Sequence, residues 1–177
     1  MKQHNTILKF TITALFIALT YLATALVQIP IPLGYANLGD CIILTCAFFF
    51  SPGMACIAGA AGAAMADILT GYAIWAAPTV VVKTLVALSA CLIFGFKNKN
   101  RRLFSVKTFA GAIVSMIVMT VGYTLFGALL YGSMESGLAS APGLAVEGVV
   151  NVVAFFLIGT ILDKSGITKS FNLYLNP

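Results

Sequence analysis

Residues 110–130 read AGAIVSMIVMTVGYTLFGALL, a stretch that contains no charged side chain. Its apolar residues do not alternate with polar ones, so it is apolar on every face and differs from the pattern of a membrane β-strand. About 20 residues of this kind, coiled as a helix, cross the roughly 30 Å of hydrocarbon in a bilayer. The stretch therefore predicts a membrane-spanning helix.

The rest of the chain has the same character. Of its 177 residues, 60% are hydrophobic and 8% are charged, with a mean hydropathy of +1.03. Soluble domains carry about 25% charged residues, so this composition excludes an ordinary soluble enzyme, a disordered chain and a DNA-binding module. We expect an all-α integral membrane protein that forms a single membrane domain over residues 1–177.

Six apolar runs can be assigned to membrane spans. Prolines at Pro30 and Pro32 end the first run, and Pro78 suits the first turn of the fourth. A signal-peptidase site at 23–25 is an alternative interpretation of the first run, but it would have an unusually long hydrophobic region, and we expect a retained helix. The expected spans are about 8–27, 38–50, 54–72, 78–96, 109–130 and 142–162.

The basic residues predict the orientation. Every Lys and Arg except Lys83 lies in or beside the N-terminal tail, the 97–108 segment or the C-terminal tail. The segments 28–39, 71–77 and 131–141 contain none. By the positive-inside rule both termini are then cytoplasmic, in a multi-pass protein of the bacterial plasma membrane. The net charge of +5 reflects this topology and contact with anionic lipid rather than nucleic acid.

Small residues and cysteines are expected to serve packing. Small side chains recur at three- and four-residue steps in the third span, which predicts close contact between helices there: Ala55, Gly59, Gly62, Ala63 and Ala66. The cysteines all lie in apolar runs without a CxxC pair, and the single histidine lies in the N-terminal tail. Clustered metal ligands are therefore lacking, and we predict neither a metal site nor a cofactor.

Four ionisable residues lie at or near membrane depth, where charge is costly and usually marks a site. Following the direction of each span places all four toward the outer half of the membrane, on four different helices. We expect them to converge at one level: Asp40, Asp67, Lys83 and Glu147. Asp40 could instead only cap the second helix, and Lys83 could pair structurally with Asp67 or Glu147.

Polar and aromatic residues near this level suggest a ligand pocket. Glu147 and Asn151 share one face of the sixth helix, one turn apart. Aromatic faces combined with a few directional polar groups suit a flat heterocycle, and the candidates are Gln28, Tyr35, Asn37, Tyr72, Trp75, Tyr123 and Tyr131. The alternative for the tyrosines and the tryptophan of the outer loops is an interfacial aromatic belt.

Several functions lack the motif that they would need. The sequence contains no GxxxxGK[ST] phosphate loop, no HExxH and no GxSxG. The two halves show no obvious inverted repeat of the kind found in secondary transporters. A six-helix pocket without its own motor or catalytic group suggests a binding subunit that works with partners rather than an enzyme.

These features resemble the S components of energy-coupling factor (ECF) vitamin transporters. The resemblance rests on size, six spans, Asn37-Leu38-Gly39-Asp40 after a proline-rich loop, and Ala66-Asp67 followed by Gly71-Tyr72. The segment 78–83 and the helix of Glu147 and Asn151 resemble the branch for riboflavin, hydroxymethylpyrimidine or pyridoxine-type ligands. The sequence has a single tryptophan, which makes a thiamine-type pocket less expected and leaves riboflavin open.

The resemblance implies a mechanism and a set of residues. An S component captures its vitamin outside and associates with a transmembrane coupling protein and two cytoplasmic ATPases, which drive uptake. Family members dock through an AxxxA motif in the first helix, matched here by Ala14 and Ala18. Together with Asp67, the implied ligand-binding residues are Asn37, Asp40, Tyr72, Lys83, Tyr123, Glu147 and Asn151.

Two other functions stay open at this stage. The first is a stand-alone proton-coupled carrier that uses Asp67 and Glu147 as proton sites. The second is a small membrane enzyme or scaffold, for which no catalytic constellation is present in the sequence.

Overall fold

A computed structural model describes the backbone of residues 2–95 and 101–166, with side chains from Thr6 onward. The basic residues Lys97, Lys99 and Lys169 lie outside the described residues. A short 3-10 turn, Ala73–Trp75, precedes the fourth helix. The other elements are α1 (Lys2–Ala25), β1 (Ile29–Ile31), β2 (Gly34–Ala36), α2 (Gly39–Phe49), α3 (Pro52–Leu69), α4 (Ala76–Phe94), α5 (Val106–Tyr131) and α6 (Met134–Ser165).

Five of the helices are long and apolar enough to cross a membrane, and α2 is a shorter apolar helix. Their outward faces carry large apolar side chains that are more than half exposed, such as Leu92, Leu129 and Leu157. Such a surface is stable only where lipid covers it. The prediction of an all-α membrane protein with six apolar helices is confirmed.

The helix α2 lies at the centre of the bundle. Helices α1, α3, α4, α5 and α6 follow one another as packed neighbours, and α2 contacts α1, α3, α4 and α6. With 11 residues it is about 16 Å long, which is too short to cross the hydrocarbon by itself. All of its residues except Ile42 are buried, so any polar group on α2 must find its partner inside the protein.

Serine side chains define where three helices begin. The hydroxyls of Ser51, Ser105 and Ser133 accept hydrogen bonds from the backbone N–H three residues later, which satisfies groups that a helix start leaves unpaired. The cap at Ser133 starts α6 eight residues before the expected start of the sixth span, and Pro142 lies inside the helix. The sequence predicts the start of this span at about residue 142, whereas the helix begins at Met134.

A β-hairpin replaces the plain loop expected after the first helix. Strands β1 and β2 pair antiparallel, with Ile29 opposite Ala36 and Pro30 opposite Tyr35. Proline is compatible with such an exposed two-stranded edge because its missing N–H can face away from the partner strand. The hairpin lies where α1, α3 and α5 end and α2, α4 and α6 begin. We call this end of the bundle the hairpin end.

The small-residue face of α3 is buried, as its spacing predicts. A Cβ atom on Gly62 would lie 2.6 Å from the carbonyl oxygen of Ile17 in α1 and 2.8 Å from the side chain of Thr20. On the α2 side, a Cβ on Gly59 would lie 2.9 Å from the side chain of Ile43. The backbones of α1 and α3 therefore approach too closely at Gly62 for any larger residue.

We predict that Gly62→Ala destabilises the protein by about 1–3 kcal/mol, because α1 and α3 must move apart to make room. Gly53→Ala is the matched control in the same helix, since a Cβ there has no neighbour within 4 Å, and it should be neutral or slightly stabilising. Thermal unfolding in one detergent measures both. Equal midpoints for the two variants would contradict the close contact.

Candidate functional site

A buried ion pair joins α2 and α4 below the hairpin. The Nζ atom of Lys83 lies 2.9 Å from Oδ1 and 2.8 Å from Oδ2 of Asp40, and the two side chains are 1% and 0% exposed. Asp40 lies in the first turn of α2, where the helix dipole also favours a negative charge. The helix cap is Leu38, so Asp40 is not an N-cap, and Lys83 pairs with Asp40 rather than with Asp67 or Glu147.

Asp67 lies at the centre of a hydrogen-bonded chain of hydroxyl groups. Tyr35 donates to its Oδ1 at 2.6 Å and Thr79 donates to its Oδ2 at 2.5 Å. The hydroxyl of Tyr123 donates in turn to Thr79 at 3.0 Å. These bonds connect the hairpin, α3, α4 and α5. Burial, together with the bond to Asp67, raises the pKa of Tyr35 above its usual value, so this tyrosine stays a donor.

Asn151 connects α6 to the segment between the hairpin and α2. Its Oδ1 accepts from the backbone N–H of Cys41 at 2.8 Å. Its Nδ2 donates to the backbone oxygens of Asn37 at 2.7 Å and Glu147 at 3.0 Å. The side chain is fully buried and its donors and acceptor are occupied by backbone groups, so Asn151 positions the segment that leads into α2.

Glu147 differs from the other acids because one of its oxygens is free. The residue is 4% exposed, and within the described part of the chain its Oε1 is buried without a hydrogen-bond partner. Buried polar atoms in native proteins nearly always have a partner, which can be a ligand. Glu147 also borders a cavity at the hairpin end of the bundle.

A cavity opens at the hairpin end between the hairpin and the helices. About 440 Å³ of space in the cavity and its open mouth is not filled by protein atoms. Aromatic rings form much of its wall, and the Trp75 and Tyr123 centroids lie 5.9 Å apart. The lining residues are Ile31, Leu33, Gly34, Tyr35, Asn37, Asp67, Trp75, Thr79, Tyr123, Ser140, Leu144 and Glu147.

The residues predicted for ligand binding divide into two groups. Asn37, Asp67, Tyr123 and Glu147 border the cavity. The other four do not border it: Asp40, Lys83 and Asn151 are buried in contacts with protein groups, and Tyr72 packs edge-on against Tyr35 with ring centroids 4.7 Å apart.

Several lining residues are not predicted by the sequence patterns. Thr79 lies one turn before Lys83 on the same face of α4, a spacing that could have indicated it. Ser140, Leu144 and Glu147 follow one another at four- and three-residue steps along α6, but the first of them preceded the expected start of the helix. Ser140 also accepts a hydrogen bond from the backbone N–H of Leu33 at 3.0 Å, which holds the hairpin tip to α6.

The predicted docking residues lie far from the cavity, on the outside of α1. Ala14 and Ala18 are both exposed, and exposed leucines, Leu15 and Leu19, lie next to them. No helix of the described chain covers this part of α1.

The fold is a membrane-spanning helical bundle with a cavity at one end. A family model, described as "ECF-type riboflavin transporter, S component", matches residues 4–166. The chain therefore belongs to this family of S components, as the sequence resemblance predicted. It is a multi-pass membrane protein and a subunit of a transporter for a vitamin or vitamin precursor, not an enzyme.

Two curated relatives are similar over most of the chain. An uncharacterized protein of Pyrococcus woesei is 34% identical over 141 residues, which cover 78% of this chain and 85% of that protein. The thiamine precursor transporter HmpT of Lactococcus lactis subsp. cremoris is 26% identical over 174 residues, 97% of each chain.

The ion pair generates a stability prediction. Lys83→Met leaves the carboxylate of Asp40 buried without a counter-ion and should cost about 3–5 kcal/mol. The double variant Asp40→Asn, Lys83→Met removes both charges and should recover a large part of that loss. Thermal unfolding of the detergent-solubilised variants measures this. If Lys83→Met were as stable as the wild type, that result would contradict the structural role of the pair.

Proposed function

We propose that this S component captures a single-ring heterocycle of the hydroxymethylpyrimidine or pyridoxine type in the cavity at the hairpin end. The observation that carries the proposal is that Glu147, whose buried Oε1 has no hydrogen-bond partner in the described part of the chain, lines a cavity together with Tyr35, Trp75 and Tyr123. A ring that packs against the aromatic wall and donates a hydrogen bond to this oxygen would satisfy both features.

The polar groups of the cavity match the chemistry of such a ring. Amino and hydroxymethyl substituents donate hydrogen bonds that the carboxylates of Glu147 and Asp67 can accept. Ring nitrogens accept hydrogen bonds, and the amide of Asn37 can donate one, whereas the hydroxyl proton of Thr79 is already donated to Asp67. Apolar contacts with the ring and its methyl group are available from Leu33 and Leu144.

The size of the cavity favours a ligand with a single ring over a tricyclic flavin. Its 440 Å³ of unfilled space includes the open mouth, so the enclosed part is smaller than that. Leu33 of the hairpin, which lines the cavity, is hydrogen-bonded across to Ser140 of α6. A tricyclic flavin with its ribityl chain is much larger than a single pyrimidine or pyridine ring and would need more of this space. HmpT is named for a thiamine precursor, which agrees with a smaller ligand.

We infer that the hairpin end faces the outside of the cell. The described basic residues other than Lys83 lie toward the opposite end of the bundle, before α5 or near the free ends of α1 and α6: Lys9, Arg101, Arg102, Lys107 and Lys164. Positive charge of this kind is typical of the cytoplasmic side. The ligand then enters from outside, and both termini are cytoplasmic.

We further propose that ATP-driven uptake requires partner subunits that dock on α1. The exposed face around Ala14 and Ala18 would let a helix of a transmembrane coupling protein approach closely, because small residues permit backbone contact in lipid. Two cytoplasmic ATPases would supply the energy. Uptake of radiolabelled hydroxymethylpyrimidine into liposomes distinguishes this from a stand-alone carrier: ATP and the partner subunits should be required, and uptake by the chain alone under a proton gradient would contradict it.

Ligand binding can be followed by tryptophan fluorescence, because Trp75 is the single tryptophan of the sequence and borders the cavity. We predict that Glu147→Gln weakens binding of hydroxymethylpyrimidine about tenfold or more, since losing a hydrogen bond to a charged acceptor costs about 1.5–3 kcal/mol. Glu135→Gln is the matched control, an exposed acid in the first turn of the same helix. Equal affinities for the two variants would show that the ligand does not contact Glu147.

The docking face generates a separate prediction. Replacing Ala14 and Ala18 together by leucine should abolish uptake while leaving the affinity for the ligand within about twofold, because the cavity is at a distance and only the helix contact is lost. Ala110→Leu, at an exposed position on α5, is the control for added bulk. Normal uptake by the double variant, with the partner subunits still bound, would contradict the docking assignment.

A further inference from the structure

The charges around the cavity do not balance. Three carboxylates lie at the hairpin end of the bundle, those of Asp40, Asp67 and Glu147, and each is at most 5% exposed. Lys83 is the single cation buried with them among the residues that the structure describes. With every group in its usual ionisation state, the described site carries two negative charges more than positive ones.

The positive charge of Lys83 is already neutralised by one acid, Asp40. Both oxygens of Asp40 lie within 2.9 Å of its Nζ, so this pair is close to neutral as a unit. A second carboxylate can share the field of the lysine only at a longer distance, where the attraction is weaker. The remaining imbalance therefore concerns Asp67 and Glu147.

Asp67 has its hydrogen bonds but not a counter-charge. Its two oxygens accept from the hydroxyls of Tyr35 and Thr79. Neutral donors of this kind stabilise a carboxylate, but they leave the net charge of the site unchanged. Both Asp67 and Glu147 border the cavity, so a ligand there would lie beside two uncompensated acids.

Glu147 indicates where a compensating positive charge would bind. Its Oε1 is buried and, in the described part of the chain, lacks a partner. An unpaired charge at membrane depth is costly, and proteins retain such residues where a ligand or ion completes the site. Glu147 is also one of the residues that line the cavity.

We propose that the cavity selects ligands that carry a positive charge, an amino-substituted nitrogen heterocycle bound in its protonated form with Glu147 as the counter-ion. The inference rests on the proposed function and narrows it to a class of ligand. Charge-assisted hydrogen bonds from a protonated amidine group of the ring are about twice as strong as those of a neutral ring. The neutral heterocycle of the same shape would leave the two acids uncompensated.

The test compares two probes that differ at one position. One is 4-amino-5-hydroxymethyl-2-methylpyrimidine, which can be protonated; the other is its 4-oxo analogue, which stays neutral. Titration by Trp75 fluorescence should give at least tenfold tighter binding of the amino compound to the wild type. Glu147→Gln should reduce this ratio to below about threefold, whereas Glu135→Gln should keep it. Circular dichroism of each variant verifies that the bundle is folded.

The outcomes separate the inference from the proposed function. Equal affinities of the two pyrimidines for the wild type would overturn the charge selection and leave the pyrimidine assignment intact. A preference that persists in Glu147→Gln would overturn Glu147 as the counter-ion. Binding of neutral riboflavin, with neither pyrimidine bound, would overturn the ligand class and the proposed ligand together.

Discussion

The ion pair between Asp40 and Lys83 is the constraint on which the site depends. Helix α2 is too short to cross the bilayer and is buried on nearly all sides, so the acid in its first turn must be neutralised from within the bundle. The ammonium group of Lys83 does this with both carboxylate oxygens. Because the pair fixes α4 against α2, it also fixes Thr79, one turn earlier on α4, beside Asp67 of α3. The hydrogen bonds of the cavity wall follow from that placement.

Around this pair, the polar side chains have two different tasks. Asn151 binds the backbone around the start of α2, and Asp67 connects the hairpin to α4. These contacts make the site rigid before a ligand arrives, which lowers the entropic cost of binding. Glu147 is different because its buried Oε1 has no hydrogen-bond partner among the described residues. Under the proposed function, the specificity for the ligand rests on this group, while Asp40, Asp67, Lys83 and Asn151 keep their bonds within the protein.

The sequence predicted the fold well, and the site in part. Long apolar runs and charge distribution identify membrane helices because lipid requires both, and the convergence of Asp40, Asp67, Lys83 and Glu147 follows from the direction of each helix. The partner of Lys83 could not be predicted, since three acids lay at the same level and only packing chooses between them. The hairpin was missed because Pro30 and Pro32 break a helix equally well in a loop or an edge strand. Ser140 was missed because the expected span began at about residue 142, whereas the cap at Ser133 starts α6 at Met134.

The most direct test of a vitamin-binding cavity is native mass spectrometry of the protein purified from cells that express it with its partners. The released small molecule should be a single-ring nitrogen heterocycle, bound at one copy per chain and lost when Glu147 is changed to Gln. Recovery of riboflavin, or of a ligand that the Glu147→Gln variant retains at full occupancy, would contradict the site described for this S component.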